Sequence, residues 1–294
     1  MHIVKIMGGL GNQLFQYAFA YELIQTGVDL RLDLIFYYED NNGATPRELF
    51  YTLYGLNLPV ASSAELEKAY DTSRDIWDRI RRRLKTYLNI RIGYPVFTDN
   101  DIRGKSDIPY KIRNCIYAGY WQNPMFFSER KEQIADIWRA MIPDLEERDR
   151  HLLNSFDGNM VSVHVRGTDY LNSANYQRLG SVCSRNYYKK AMEIIEDRIP
   201  HPVYIVFSDD FEYVKEMLDV SGRDYIMVDW HGEEDTLKDF YLMSLCKHHI
   251  MANSSFGWWA VHLGKSDRGI VCCPLSWRGN DDSTELLEDD WIKI

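Results

Sequence analysis

The sequence predicts an α/β protein made of two facing Rossmann-like domains, and three observations carry that reading. The chain opens with a strand, a glycine turn, a helix and a second strand. Its second half repeats one device three times: an apolar strand that ends in a short polar cluster and turns back. And 294 residues, 45% hydrophobic and 27% charged, exceed one ordinary domain and suffice for two cores.

Taken in order, residues 2–6 (HIVKI) read as a strand, GGLGNQ as a tight polar turn, and Leu14 to Ile24 as a helix with apolar residues at 14, 15, 18 and 21. Residues 28–32 (VDLRL) read as the next strand, while 40–115 are less regular. Within them, 74–91 form an amphipathic helix, apolar at 76, 77, 80, 84, 87 and 88, with seven Arg/Lys against two Asp. A further helix spans 126–141 and is stopped by Pro143. VSVHV (161–165) leads into RGTD, VYIVF (203–207) into SDD and a helix to about Leu218, and HHIMA (248–252) into NSSFG and a helix beginning WWAVHL. In a parallel sheet such strand ends lie along one edge, where ligands bind. The expected boundary falls near 145–158, giving domains 1–155 and 156–294.

Composition excludes several classes. A net charge of −10 argues against nucleic acid as the main partner. No stretch approaches the length of a membrane span, and MHIVKIMGGLGNQ lacks the apolar core of a signal peptide. Five cysteines without a CxxC spacing fit buried free thiols in a reducing, cytoplasmic compartment. The only DxD is Asp99-Asn100-Asp101, and His248 and His249 point to opposite strand faces, so no metal is expected.

The chemistry gathers in the polar clusters. Strand alternation puts His164 and Arg166 on one face, with Asp169 just beyond a Gly-Thr turn. An arginine there suits a phosphate or pyrophosphate, although an ion pair with Asp169 explains it as well. Of Asp209 and Asp210, one caps the following helix and the other is open to a ribose or guanine, with Ser208 beside them. Asn253, Ser254 and Ser255 precede a helix whose first amides attract an anion, and plain N-capping is the alternative. Gly9-x-Gly11 with Asp33 about 20 residues on resembles a dinucleotide fingerprint, but Leu14 stands where its third glycine belongs. Trp121, Trp258 and Trp259 are expected in the core.

Together these segments resemble the α-1,2-fucosyltransferase family. The resemblance runs in order through MGGLGNQLFQYA, GYWQNPMFF (119–127), VHVRGTDYL (163–171), SRNYYKKAMEII (184–195), VFSDD (206–210), LMSLCKHHIMANSSFGWWAVHL (242–263) and the terminal DDWIKI. It implies a GT-B type fold and inverting transfer of L-fucose from GDP-fucose to the 2-hydroxyl of a galactose-terminated acceptor, with no other cofactor. It also implies that Arg166 meets the β-phosphate, His164 lies near the nucleoside, and Asp209 or Asp210 contacts it. Ser254, Ser255 and Phe256 then face the phosphates, and Asn12 the acceptor. Asp169 is a candidate general base, with an ion-pair role beside Arg166 as the alternative, and Asn12 is a candidate hydrogen-bond acceptor for a strongly dissociative reaction. Many members carry a second arginine where this chain has Gly167. The competing readings are a nicotinamide oxidoreductase, resting on Gly9 and Asp33, and a non-catalytic carbohydrate binder using Tyr120 and Trp121. The basic helix 74–91 is either a solvated face or a contact with an anionic inner membrane face.

Overall fold

A computed structural model describes residues 1–38, 48–50, 55, 57–73, 75–88, 90–155, 159–172, 175–264, 269–279 and 284–294, without the side chains of Asp169 and Glu233. Arg74 and Asn89 of the basic segment lie outside them. The chain divides into two compact units, Met1–Ile137 and Trp138–Ile294.

The first unit holds strands β1 (His2–Lys5), β2 (Leu30–Asp33), β3 (Val96–Phe97) and β4 (Cys115–Tyr117) in one parallel sheet ordered β2-β1-β4-β3. Its helices are α1 (Leu10–Gln25), α2 (Ser63–Tyr70), α3 (Ile76–Tyr87) and α4 (Lys131–Arg139), the last running across the division. Helix α1 begins at Leu10, four residues before the expected start, because the glycines alone make the turn: Gly8 has a φ of 83°. Two buried glutamines, Gln13 from the expected turn and Gln16 from the expected helix, close the strand-to-helix junction. Gln16 accepts from the Met7 amide (2.8 Å) and donates to its carbonyl (3.1 Å), while Gln13 donates to the carbonyls of Gly8 (3.0 Å) and Glu48 (2.8 Å).

The second unit holds α5 (Glu147–Asn154), β5 (Met160–Val165), α6 (Thr168–Leu171), α7 (Arg185–Glu196), β6 (Val203–Ser208), α8 (Phe211–Met217), β7 (Asp224–Met227), α9 (Thr236–Leu245), β8 (His248–Ile250), α10 (Ser255–Leu263), β9 (Val271–Cys273) and β10 (Ile292–Lys293). The six strands form a parallel sheet ordered β10-β9-β8-β5-β6-β7. Val161, Val163 and Val165 of β5 pack with Tyr187 and Met192 of α7 and with Tyr204 and Val206 of β6. From β5 the chain builds outward through β6 and β7, then returns to β8 on the other side. The topological switch therefore lies between β5 and β8, where parallel sheets open a crevice at their carboxyl ends.

The division falls earlier than the 145–158 expected. The end of α4 is tied to α10: Trp138 meets Trp259 edge-on at 4.8 Å, and Arg139 donates to the carbonyls of Leu263 (2.9 Å) and His262 (3.1 Å). All five cysteines are free and buried, and Trp121, Trp258 and Trp259 are fully buried, as the sequence indicates.

Candidate active site

Strand β5 runs buried to Val165 and releases Arg166 at the switch point. The arginine is held from two sides. Its Nη1 lies 2.9 Å from Oδ2 of Asp209, at the end of β6, and its guanidinium lies 5.7 Å from the centre of the Tyr170 ring. Asp209 also accepts the Gly167 amide (2.8 Å) and the Thr168 hydroxyl. Burial pushes its carboxyl up, but the Arg166 guanidinium, the Thr168 hydroxyl and the Gly167 amide together hold it below the usual range. Arg166 thus has a fixed aspartate behind it, and among the described side chains Asp209 of the neighbouring strand is an ion-pair partner. Asp169 follows on α6, and its side chain lies outside the described atoms.

The two aspartates of SDD separate in role. Asp210 caps α8, accepting the Tyr213 amide at 3.0 Å through one oxygen. Ser208 closes the same turn, accepting from the Asp210 amide (3.0 Å) and donating to its carbonyl (3.1 Å). A Cβ at Gly167 would sit 2.7 Å from the Cβ of Asp210, so the missing second arginine has a steric cause in this chain.

At the end of β8, Asn253 is a clamp. Its amide donates to the carbonyls of Leu179 (3.2 Å) and Trp277 (3.1 Å), and its oxygen accepts from the Cys183 thiol (3.5 Å). That use explains its burial and leaves Ser254, Ser255 and Phe256 to open the helix that follows. Ser254 stands at the N-cap of α10 with an extended backbone, yet its side chain makes no capping bond. The first turn of α10 has no acidic residue either, so no carboxylate of that turn offsets the positive end of its helix dipole. Phe256 packs on His164 (5.5 Å between rings) and edge-on to Phe240 (5.2 Å).

His164 links the two strand ends. Its carbonyl accepts from Tyr188 (3.0 Å), and its buried Nδ1 has no hydrogen-bond partner among the described residues. Burial, with the Arg166 charge beside it, pushes its pKa down to about 4, against a smaller opposite pull from Asp209, so the imidazole is neutral at pH 7. Gly257 makes the closeness possible: a Cβ there would lie 2.9 Å from Nδ1. Sequence reasoning missed Gly257 and Tyr170. The latter also donates to the Asn253 carbonyl (3.0 Å), joining the β5 and β8 loops. A glycine in the first turn of an otherwise bulky helix was the available signal for the former.

Asn12 belongs to the other unit and forms a separate cluster. Its Oδ1 accepts from Gln122 (2.8 Å), and a Cβ at Gly8 would lie 2.7 Å from its Nδ2. Asp99 accepts the amides of Tyr120 (3.0 Å) and Trp121 (2.9 Å) and holds Trp121 at a φ of 54°, fully buried against Phe19. Tyr120 remains exposed. Asp99 and Asp101 of the DxD are thus loop ties, Asp101 accepting the Thr98 amide (2.8 Å) and hydroxyl (2.7 Å). Among the described residues no group of three or more His, Cys, Asp or Glu is placed to hold a metal ion.

Asp33 decides against the nicotinamide reading. It is buried, with one oxygen accepting the Ile35 amide (2.9 Å) and the other the Tyr70 hydroxyl, so it presents no carboxylate to a ribose.

The family model for glycosyl transferase family 11 matches residues 75–294. The chain belongs to glycosyltransferase family 11. It is 28% identical to an alpha-1,2-colitosyltransferase of Escherichia coli over 99% of this chain and 98% of that one. It is 34% identical to galactoside alpha-(1,2)-fucosyltransferase 1 of Ateles belzebuth over 48% of this chain and 41% of that one. Among solved structures it is similar to fucosyltransferase NodZ from Bradyrhizobium, with a TM-score of 0.48, 18% identity, and 92% and 95% of the two chains covered. A member of family 11 is a glycosyl-transferring enzyme, and the oxidoreductase and non-catalytic readings both fall with that membership. The family match takes in the ends of β5, β6 and β8 and stops short of Asn12. No helix among the described residues is long and apolar enough to cross a membrane.

Proposed function

We propose that the chain transfers L-fucose from GDP-fucose to the 2-hydroxyl of a β-galactoside, with inversion, in the synthesis of a surface polysaccharide or oligosaccharide. The reading is one of GT-B type: the unit Trp138–Ile294 holds the nucleotide, and the unit Met1–Ile137 serves the acceptor. The observation that carries it is Arg166, held by Asp209 at the sheet's switch point, with the N-terminal end of α10 at the adjoining strand end. Five buried thiols without a disulfide support a cytoplasmic setting.

As the bond from the anomeric carbon to the β-phosphate oxygen breaks, negative charge grows on GDP and positive charge on the sugar. Arg166 offers a planar fork to that phosphate, and the N-terminal end of α10 offers its dipole, a pre-positioned donor being worth about 3 kcal/mol in a transition state. Asp209 positions Arg166 and leaves the nucleoside to Asp210, whose capping bond uses one oxygen only. Neutral His164 stands beside the nucleotide. The galactose 2-hydroxyl attacks from the opposite face and gives its proton to Asp169, or, if the sugar cation is well developed, holds a hydrogen bond to Asn12 and loses its proton to water once the glycosidic bond has formed. The charge on the leaving phosphate is assigned to Arg166 and α10 in place of a divalent ion.

The test is incubation with GDP-fucose and a panel of galactosides, with GDP release and product linkage measured. GDP-colitose is included because a relative carries that sugar in its name. An α-1,2-fucosyl product that still forms in EDTA is expected. Transfer of colitose alone would overturn the donor, and rescue of an EDTA-inactivated enzyme by magnesium or manganese would overturn the metal-free mechanism.

A further inference from the structure

Helix α3 is mounted with its polar side inward. Asp75 caps its start by accepting the Trp77 amide at 2.8 Å. Three of its cations converge on the buried carboxylate of Asp71: Arg81 at 2.7 Å, Lys85 at 3.1 Å and Arg82 at 3.7 Å. Arg82 also donates to the Ser73 carbonyl at 2.6 Å. The apolar side is left in water. Ile76, Trp77, Ile80, Leu84, Tyr87 and Leu88 are between 50% and 86% exposed, and no residue of the helix is buried.

At ~100° per residue these six side chains fall within a stripe about 120° wide, bordered by Arg81 and Arg83. A contiguous apolar face of this size on a folded chain marks an interaction surface. Charge selects its partner. Residues 74–91 carry seven Arg/Lys against two Asp in a chain whose net charge is −10. A second copy seated on the stripe would bring a like-charged helix against it, whereas an anionic bilayer offers both an acyl boundary and phosphates.

We propose that α3 is an interfacial helix that seats the chain on an anionic lipid bilayer. Trp77, Ile80 and Leu84 enter the acyl boundary, Tyr87 lies at the headgroups, and Arg79 and Arg83 meet lipid phosphates. Asp71 keeps the helix presented in this orientation, because Arg81, Arg82 and Lys85 are tied to its carboxylate while Arg79 and Arg83 stay exposed.

The experiment is co-sedimentation of the intact chain with vesicles of phosphatidylglycerol and phosphatidylcholine, and with phosphatidylcholine alone, at low and high salt. Two double variants accompany it, Trp77→Ser with Leu84→Ser and Arg79→Glu with Arg83→Glu. All four positions are exposed and none contacts Asp71, so folding is preserved, which circular dichroism checks. Binding to the anionic vesicles that weakens with salt is expected, and each double variant should lower it at least about tenfold. Equal binding to pure phosphatidylcholine, no binding to either vesicle, or unchanged binding by the variants would each overturn the proposal. So would a wild-type dimer, seen by sedimentation equilibrium, that the Trp77→Ser, Leu84→Ser variant dissolves, because a second copy would then occupy the stripe.

Discussion

Arg166 is the residue on which the mechanism turns. Arg166→Lys keeps a charge opposite Asp209 but loses the planar fork, so turnover should fall on the order of 100-fold, the loss of one transition-state donor. GDP affinity should fall less, because the phosphate charge grows only as the bond breaks. Steady-state rates with GDP titration calorimetry separate the two, and an Arg166→Ala protein that folds and keeps more than about a tenth of wild-type turnover would falsify the assignment. Gly167 yields a second expectation. A Cβ there meets the Cβ of Asp210 at 2.7 Å, and that aspartate is fixed as the cap of α8. Gly167→Ala should cost about 1–3 kcal/mol by overpacking, read as a lower denaturation midpoint. Restoring the family's arginine at this position should therefore lower activity, and a gain in activity would show that the turn yields.

Helix α10 sets the geometry of the site at the level of the element. Its N-cap residue Ser254 makes no side-chain capping bond, and its first turn is brought against His164 only because residue 257 is glycine. Alanine is ordinarily the better helix former by about 1 kcal/mol. Here its methyl would stand 2.9 Å from a buried imidazole nitrogen, so the helix end must shift. Gly257→Ala should weaken GDP binding on the order of tenfold, the loss of roughly one charge-assisted hydrogen bond, with little loss of stability. Calorimetric titration against thermal unfolding distinguishes this from general destabilisation, and unchanged GDP affinity would remove α10 from the nucleotide site. The element scale also shows where local pattern and tertiary role part company. The periodicity of α3 is that of a core-facing helix, yet Asp71 turns its charged side inward.

Across the whole molecule, the buried histidines fix the acid limit of stability. Burial, with the charges of neighbouring histidines, pushes His249 down to about 3; burial and Arg166 push His164 down to about 4; and burial with the N-terminal charge lowers His2. In the unfolded chain each titrates near 6.5. From pH ~6.5 down to ~4 the unfolded state therefore binds protons that the folded state refuses, and stability falls with pH, by up to about 1.4 kcal/mol per pH unit for each histidine. His231 works in the opposite sense. Burial pushes it down, but Asp239 and Asp149 raise it above its usual value, so its contribution is full below pH ~6.5 and is lost as pH rises through its folded value. Three depressed groups outweigh one raised group. Urea midpoints at pH 7.5, 6.0 and 5.0 should decrease steadily, and a midpoint that rises toward pH 5 would contradict the balance. At neutral pH, GDP at 100 times its dissociation constant should add about 2.7 kcal/mol, and a thermal-shift series with GDP, UDP, ADP and NADH reads it.

The sequence by itself determined the parallel α/β architecture, because apolar strands ending in polar turns leave few other arrangements. It also determined that the ends of β5, β6 and β8 share one sheet edge, since strand alternation and the switch-point rule act through local pattern. It supplied His164, Arg166, Asp209 and Ser254 as residue types at that edge. Only the tertiary structure decided their employment. Asp209 grips Arg166 while Asp210 caps a helix, a choice set by which neighbouring strand each faces. Asn253 clamps two loops because Leu179 and Trp277, distant in sequence, leave carbonyls beside it. Asp33 keeps the spacing of a ribose-binding acid but is closed off by Tyr70, and Gln13 of GGLGNQ and the nearby Gln16 are buried hydrogen-bond partners of the backbone. The physical reason is common to all of these. Residue type and period record what a side chain can do, but a polar group's partner is chosen by whichever donors or acceptors the rest of the fold leaves within about 3 Å of it.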